Sequence, residues 1–294
     1  MDLSSAALRC LREDDVETKL RLTREVGEDF LRGRYGTGQS DRAGSEADAR
    51  ASARARGGAE FEGGVEFESE LAAVVKPGRP VRPRLVAPRL LPQRGLGSPE
   101  GRAAFLHAIA HIEFNAINLA WDAVCRFRDM PWEFHADWVA VAVDEARHFT
   151  WLQTRMAELG AVYGDFDGHD GLWQMAVRTR DCCRARMALV PRVLEARGLD
   201  VTPAMIARLQ AVGDHASAEI LERILREEIP HVAAGSRWFV WCCRRDGLDP
   251  LTEFRRLLAE HGQGVVRGPF NLSARRAAGF SDAELLALAA LTDG

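Results

Sequence analysis

Tyrosine is nearly missing from this sequence, with two residues against thirteen phenylalanines and seven tryptophans. No stretch alternates polar and apolar residues over the length of a strand, so a β-rich fold is disfavoured. No run approaches the roughly 18 consecutive apolar residues of a membrane span. The opening Met1–Asp15 reaches charged residues at once and lacks the apolar centre of a secretory signal. An excess of one charge is missing too. Thirty-nine basic residues face 43 acidic ones for a net charge of −4, which argues against a charge-driven nucleic-acid binder. Cysteine occurs six times but never in a metal or redox spacing: Cys10 and Cys125 stand alone, and Cys182–Cys183 and Cys242–Cys243 are adjacent pairs. Neighbours on a helix point about 100° apart, so the cysteines read as small core fillers in a reducing compartment, and the cytoplasm is the expected location.

What remains is long Ala/Leu/Arg/Glu-rich sequence of helical period. Residues 1–32 read as N-terminal helices, Leu3–Leu11 and Val16–Phe30. Residues 33–64 are Gly/Ala/Ser/Arg/Glu-rich with almost no large apolar side chains, the composition of a disordered insertion. Residues 65–97 form an extended, basic, Pro-rich arm, with five prolines and six basic residues between 76 and 96. Wrapping along the main domain is the favoured role of this arm over a strap for RNA or anionic lipid. From 98 to 247 the pattern predicts an all-α four-helix bundle. Ser98-Pro99 starts a first helix that reaches about Arg128, and a second runs from Glu133 to Leu159 and stops at Gly160. A third runs from Leu172 to Arg197 and closes at Gly198, with a short helix from Thr202-Pro203 to Gly213. A fourth spans His215–Arg245 and ends at Gly247. Residues 248–294 are a C-terminal helical extension whose last helix opens with the capping box Ser281-x-x-Glu284.

The chemistry lies in the order Glu113, Glu145-x-x-His148, Glu195, Glu228-x-x-His231 along the four long helices. A Glu and a His three apart share a helical face, where oxygen and nitrogen can reach one metal. Two such pairs plus two single glutamates are the ligand set of ferritin-like di-iron or di-manganese carboxylate proteins. The steps from 113 to 145 and from 195 to 228 are 32 and 33 residues, each a helical hairpin returning to the same height. Both ExxH pairs interrupt apolar stripes, and charge buried there needs compensation. Four carboxylates match two divalent cations, and binding both would bring the formal charge of −4 to about zero. The competing reading is ordinary salt bridging, with Glu145 and Glu228 paired to Arg147 or Arg192.

Pro230 inside the second ExxH predicts a kink or π-bulge there. Glu195 falls three residues before the Gly198 stop and could accept hydrogen bonds from Arg192 or Arg197 instead of a metal. His107 and His111 share a face with Asn118 and, more loosely, Asp122. His111 lies about 200° round the helix from Glu113, so this stripe reads as a buried hydrogen-bond network or the seat of the Pro-rich arm, with a role behind the metal ligands as the alternative. His169 in the loop is a cap or a lid. Trp121, Trp138, Trp173, Trp238 and Trp241 read as core.

The runs LGSPEGRAAFLHAIAHIEFNAINLAWDAV, DEARHF, YGDFDGHDGLW, LVPRVLEARGLDVTP and EEIPHVAAGSRWF resemble the ferritin-like family called domain-of-unknown-function family 455, over roughly residues 80–285. By that resemblance the metal ligands are Glu113, Glu145, His148, Glu195, Glu228 and His231. Three function classes follow. The first is a di-iron (or manganese) oxidase or hydroxylase using O₂, an unknown substrate and an electron donor, with a transfer-RNA hydroxylase as one analogy. The second is ferroxidase or metal handling. The third is a non-catalytic binding module with structural metals.

Overall fold

The computed structural model describes residues 2–36, 67, 69, 71, 74, 76–261 and 266–290. The chain is all-α, and among these residues the only β pairing is an isolated bridge between Leu85 and Gly168. Most of the low-complexity stretch expected at 33–64 lies outside the described residues.

The chain divides into two units, Met1–Pro80 with Asn118–Val143, and Val81–Ile117 with Asp144–Gly294. In the first unit α1 (Leu3–Arg12) and α2 (Val16–Leu31) start at Asp2 and Asp15, whose carboxylates accept the amides of Ser5 and Thr18 at 2.9 Å. The buried Lys19 ammonium closes the end of α1, donating to the carbonyls of Cys10 (3.0 Å) and Leu11 (3.3 Å) and to Asn118. Burial pushes its pKa down to about 7. The Trp121 indole donates to Thr23 at 3.0 Å. Gly78 approaches the backbone of α1 so closely that a Cβ would sit 2.2 Å from the Arg12 carbonyl, and its amide donates to Leu11 O at 2.8 Å. The arm begins there.

The long helices α3 (Pro99–Arg126) and α4 (Trp132–Glu158) each contribute to both units. In the second unit they are followed by α5 (Gly171–Arg178), α6 (Cys183–Leu189), a π-helical turn at Val190–Glu195, α7 (Ala196–Ala211) and α8 (His215–Arg245). Then come α9 (Pro250–His261), α10 (Leu272–Ala277) and α11 (Asp282–Ala290). The capping box that opens α11 forms, with Ser281 N donating to Glu284 at 2.8 Å and Glu284 N to Ser281 at 3.3 Å. The arm is not extended throughout, being helical at residues 67, 69 and 71 and turning through a 3₁₀ helix at Pro88–Leu90. Ahead of that turn it pairs with the 161–170 loop: Val86 N donates to Gly168 O (2.9 Å), Gly168 N to Arg84 O (3.0 Å), and Arg84 grips Asp167 with two bonds. That loop rests on the histidine stripe. His107 accepts from Gly164 N at 3.0 Å, His111 bonds the Tyr163 hydroxyl at 2.8 Å, and a Cβ on Gly168 would meet the His111 ring at 2.7 Å. His107 and His111 are thus a buried network that seats the loop carrying the arm.

Three helix expectations are corrected. The third helix is not one α-helix: it breaks at Thr179–Cys182, where the buried Arg186 spans the gap by donating to Thr179 Oγ1 (2.8 Å) and Ala176 O (2.6 Å). Gly198 is no stop. Gly160 and Gly247 end their helices at φ +80° and +68°, whereas Gly198 lacks a positive φ and α7 runs through it and through Pro203. A proline there cannot bond the carbonyl four residues back, which is Leu199, and the Asn271 side chain donates to that carbonyl at 3.1 Å instead. The π-helical turn, finally, falls not at Pro230, around which α8 stays helical, but at Val190–Glu195. Pro191 packs there against Gly235 of α8, where a Cβ would lie 2.4 Å from the proline ring.

Candidate metal centre

The residue pattern meets in the second unit. Ligand atoms of Glu113 (α3), Glu145 and His148 (α4) and Glu228 (α8) lie within 4.8 Å of one another, a grouping able to hold a metal ion. His148 Nδ1 faces Glu113 Oε2 at 3.4 Å, Glu145 Oε2 at 3.5 Å and Glu228 Oε1 at 3.4 Å. His231 Nδ1 faces Glu145 Oε1 at 3.0 Å and Glu228 Oε1 at 3.5 Å. Glu145 and Glu228 therefore each look at both imidazoles. Glu195 lies on the same chamber wall as Glu113, Glu145 and Glu228, delivered by the π-helical turn. Such turns add a residue to the helix and frequently accompany functional sites.

Both rings are held from behind by acids that the sequence pattern did not single out. His148 Nε2 bonds Glu227 at 2.8 Å, and His231 Nε2 bonds Asp144 at 3.2 Å. The exchange is reciprocal: the acid before each ExxH glutamate orients the histidine of the other helix. Arg147 ties the two together, 2.8 Å from Asp144 and 2.6 Å from Glu227. The doubled acids in DEARH and EEIPH were the available signal. With Nε2–H donating outward, each Nδ1 faces the carboxylates, so that on giving up its Nδ1 proton the ring would offer a metal a nitrogen donor already oriented from behind.

The salt-bridge alternative does not describe the cluster. Arg147 pairs with Asp144 and Glu227, and Arg192 with Glu284 at 2.7 Å. Arg197 donates to the carbonyls of Arg267 and Pro269. Among the described residues no arginine or lysine pairs with Glu113, Glu145, Glu195 or Glu228.

The electrostatics show what this costs. Burial and the Glu145 charge push Glu113 well above the usual carboxylate range, and burial with Glu145 and Glu228 pushes Glu195 up to about 8. Glu145 is held low despite its burial because both protonated histidines face it, His231 through a hydrogen bond and His148 at 3.5 Å. Against the cost of burial, the surrounding carboxylates raise both imidazoles, so each keeps a proton in the metal-free protein. Glu145 Oε2, His148 Nδ1 and Glu228 Oε1 are buried without any hydrogen-bond partner. Buried polar atoms in native proteins are rarely left so, and three converging on one point fit divalent cations on a nitrogen–oxygen donor set.

A chamber of about 420 Å³ adjoins the cluster, walled mainly by apolar side chains of α3, α5, α7 and α8. His169 does two jobs: its Nδ1 accepts from Gly171 N at 3.2 Å, starting α5, and its ring lines the chamber. Residues 12–286 match the model of a family described as protein of unknown function, DUF455. The chain belongs to the DUF455 family. A protein of Haemophilus influenzae, described as an uncharacterized protein, is similar at 46% identity over 213 residues, 70% of this chain and 74% of the relative. No solved structure matches at a significant level.

Proposed function

We propose that this DUF455 chain is a ferritin-like dinuclear carboxylate protein that holds two iron ions and uses O₂ to oxidise an organic substrate, with an electron donor supplying reducing equivalents. Manganese suits the same donors. Glu145 and Glu228, each facing both imidazoles, would hold the ions together with His148 and His231. Glu113, which faces His148, and Glu195, whose carboxyl feels the His231 charge, would supply the remaining carboxylates. When bound, the ions supply the redox chemistry that side chains lack. The protein's own part is to fix two nitrogen donors through Asp144 and Glu227, to keep water from the cluster by burial, and to seat the substrate.

The observation that carries the reading is the apolar chamber reaching Glu113, Glu145, Glu195 and Glu228. Ferroxidase turnover would send hydrated iron through that space, and apolar walls disfavour it. Fe(II) with O₂ in stopped flow tests the assignment. One stoichiometric burst of O₂ consumption is expected, whereas sustained oxidation of many irons per chain would establish metal handling instead.

A further inference from the structure

The chamber has a polarity along its length that specifies what enters it. Its inner end carries Glu113, Glu145, Glu195 and Glu228, and its walls include Ile109, Met175, Met205 and Ile224. Toward solvent, α5 contributes the exposed Gln174 and Arg178 to the lining. Arg178 has no hydrogen bond or ion pair among the described residues, in contrast to the other lining arginine, Arg197, which is spent on the carbonyls of Arg267 and Pro269. An unpaired guanidinium at the rim of an apolar chamber is a receptor for an anionic group.

We propose that the chamber binds an amphipathic organic anion, its apolar body inside and its head group at the rim on Arg178. This rests on the proposed oxidase reading and names its substrate class. Orientation follows from charge. In the metal-free protein an anion cannot settle against the inner carboxylates, two buried and two half-buried, without large cost, and with divalent cations bound those same carboxylates would already occupy the ions. A hydrocarbon end instead meets methionine, isoleucine and leucine walls. The head therefore stays at Arg178, which reads its charge, and the far C–H bonds of the body come to the cluster. The space suits a ligand of about ten to twenty non-hydrogen atoms.

Calorimetric titration of full-length metal-free protein, and of the same protein loaded with Mn(II), tests this with decanoate, decyl phosphate and decanol below their aggregation limits. One equivalent of an anion is expected to bind, with preference between the two anions distinguishing a carboxylate from a phosphate head. Arg178→Ala should weaken the anion about tenfold and leave decanol within about twofold. Met205→Trp, checked for an unchanged fold by circular dichroism, should abolish binding of all three by filling the chamber; Ile109→Trp is the second filling variant should the first unfold. In the Mn(II) protein, a carbon-13 label at the methyl end should be broadened more than one at the head. Absence of anion binding, equal loss of anion and decanol in Arg178→Ala, or stronger broadening at the head would each overturn the proposal. Metal content measured on the same samples separates the two readings, because anion binding that follows Arg178 in protein unable to hold Mn(II) refutes the metal centre and leaves the chamber assignment standing.

Discussion

Around Arg192 the larger unit buries two guanidiniums and two carboxylates, and each charge has its counter-charge within the protein. Arg192 bonds Glu284 at 2.7 Å and lies over the faces of Phe239, Phe254 and Phe280 at 4.8, 4.4 and 4.4 Å. Arg275 holds Asp200 with bonds of 2.9 and 2.7 Å. Around Glu113 the same unit gathers four carboxylates, two buried and two half-buried, and two buried imidazoles with no guanidinium among them. There the charges repel, two carboxylic acids are pushed up, and three polar atoms lack partners. The arginine cluster pairs its charges within the protein and leaves one atom, Arg192 Nη1, without a hydrogen-bond partner. The Glu113 cluster leaves three and reaches neutrality only by keeping protons on Glu113 and Glu195, protons that divalent cations would replace.

This contrast yields four expectations. The largest effect is at Glu284. Glu284→Leu strands the Arg192 charge and should cost about 3–5 kcal/mol in urea unfolding, while metal binding per folded chain is unchanged. Second, metal should do for the Glu113 cluster what Glu284 does for Arg192. At a hundredfold excess over Kd, Mn(II) should add about 2.7 kcal/mol and raise Tm by roughly 5–10 °C, and Glu228→Ala should remove the gain. A native Tm indifferent to metal would break the comparison.

Third, the carboxylates pushed upward give a pH signature. Glu195 titrates at about 8 in the folded protein against an ordinary value of 4.5, so the folded state binds the extra proton between these values. Metal-free stability must then fall as pH rises from 4.5 through about 8. Glu195→Gln removes that decline. Measured against the native chain, the variant should be equal near pH 4 and about 1–3 kcal/mol more stable at pH 8. Equal pH slopes in the two proteins would show that Glu195 carries no such burden. The smallest effect is expected at Asp144. Asp144→Asn keeps the fold but loosens the hold on His231, and should weaken metal binding about tenfold in competition with a chromogenic chelator.

Much of this was legible because helical periodicity and the ExxH spacing act locally. The helix Pro99–Arg126 and the helix His215–Arg245 follow from Ser98-Pro99 and Gly247, and the convergence of Glu113, Glu145, His148 and Glu228 follows from equal steps along hairpins. The misreadings are places where distant contacts decide. Gly198 and Pro203 look like punctuation, yet Asn271 repairs the carbonyl that Pro203 leaves unbonded. Likewise the π-helical turn is supported from outside its own helix: Arg275 reaches the Arg192 carbonyl at 3.5 Å, and Gly235 leaves room for Pro191. Glu195 therefore sits within continuous helix rather than at a frayed end. Asp144 and Glu227 were visible as doubled acids, but which histidine each one holds depends on the pairing of two helices 80 residues apart.

The most direct test is a count of ions. Anaerobic titration of Fe(II) into metal-free protein, read by equilibrium dialysis and elemental analysis, should saturate at about two ions per chain. Glu145→Ala, which removes a carboxylate facing both histidines, should lose this capacity with the fold intact. Saturation at two, abolished by that change, is the predicted result; fewer than about one ion per chain in the native protein would contradict the dinuclear centre.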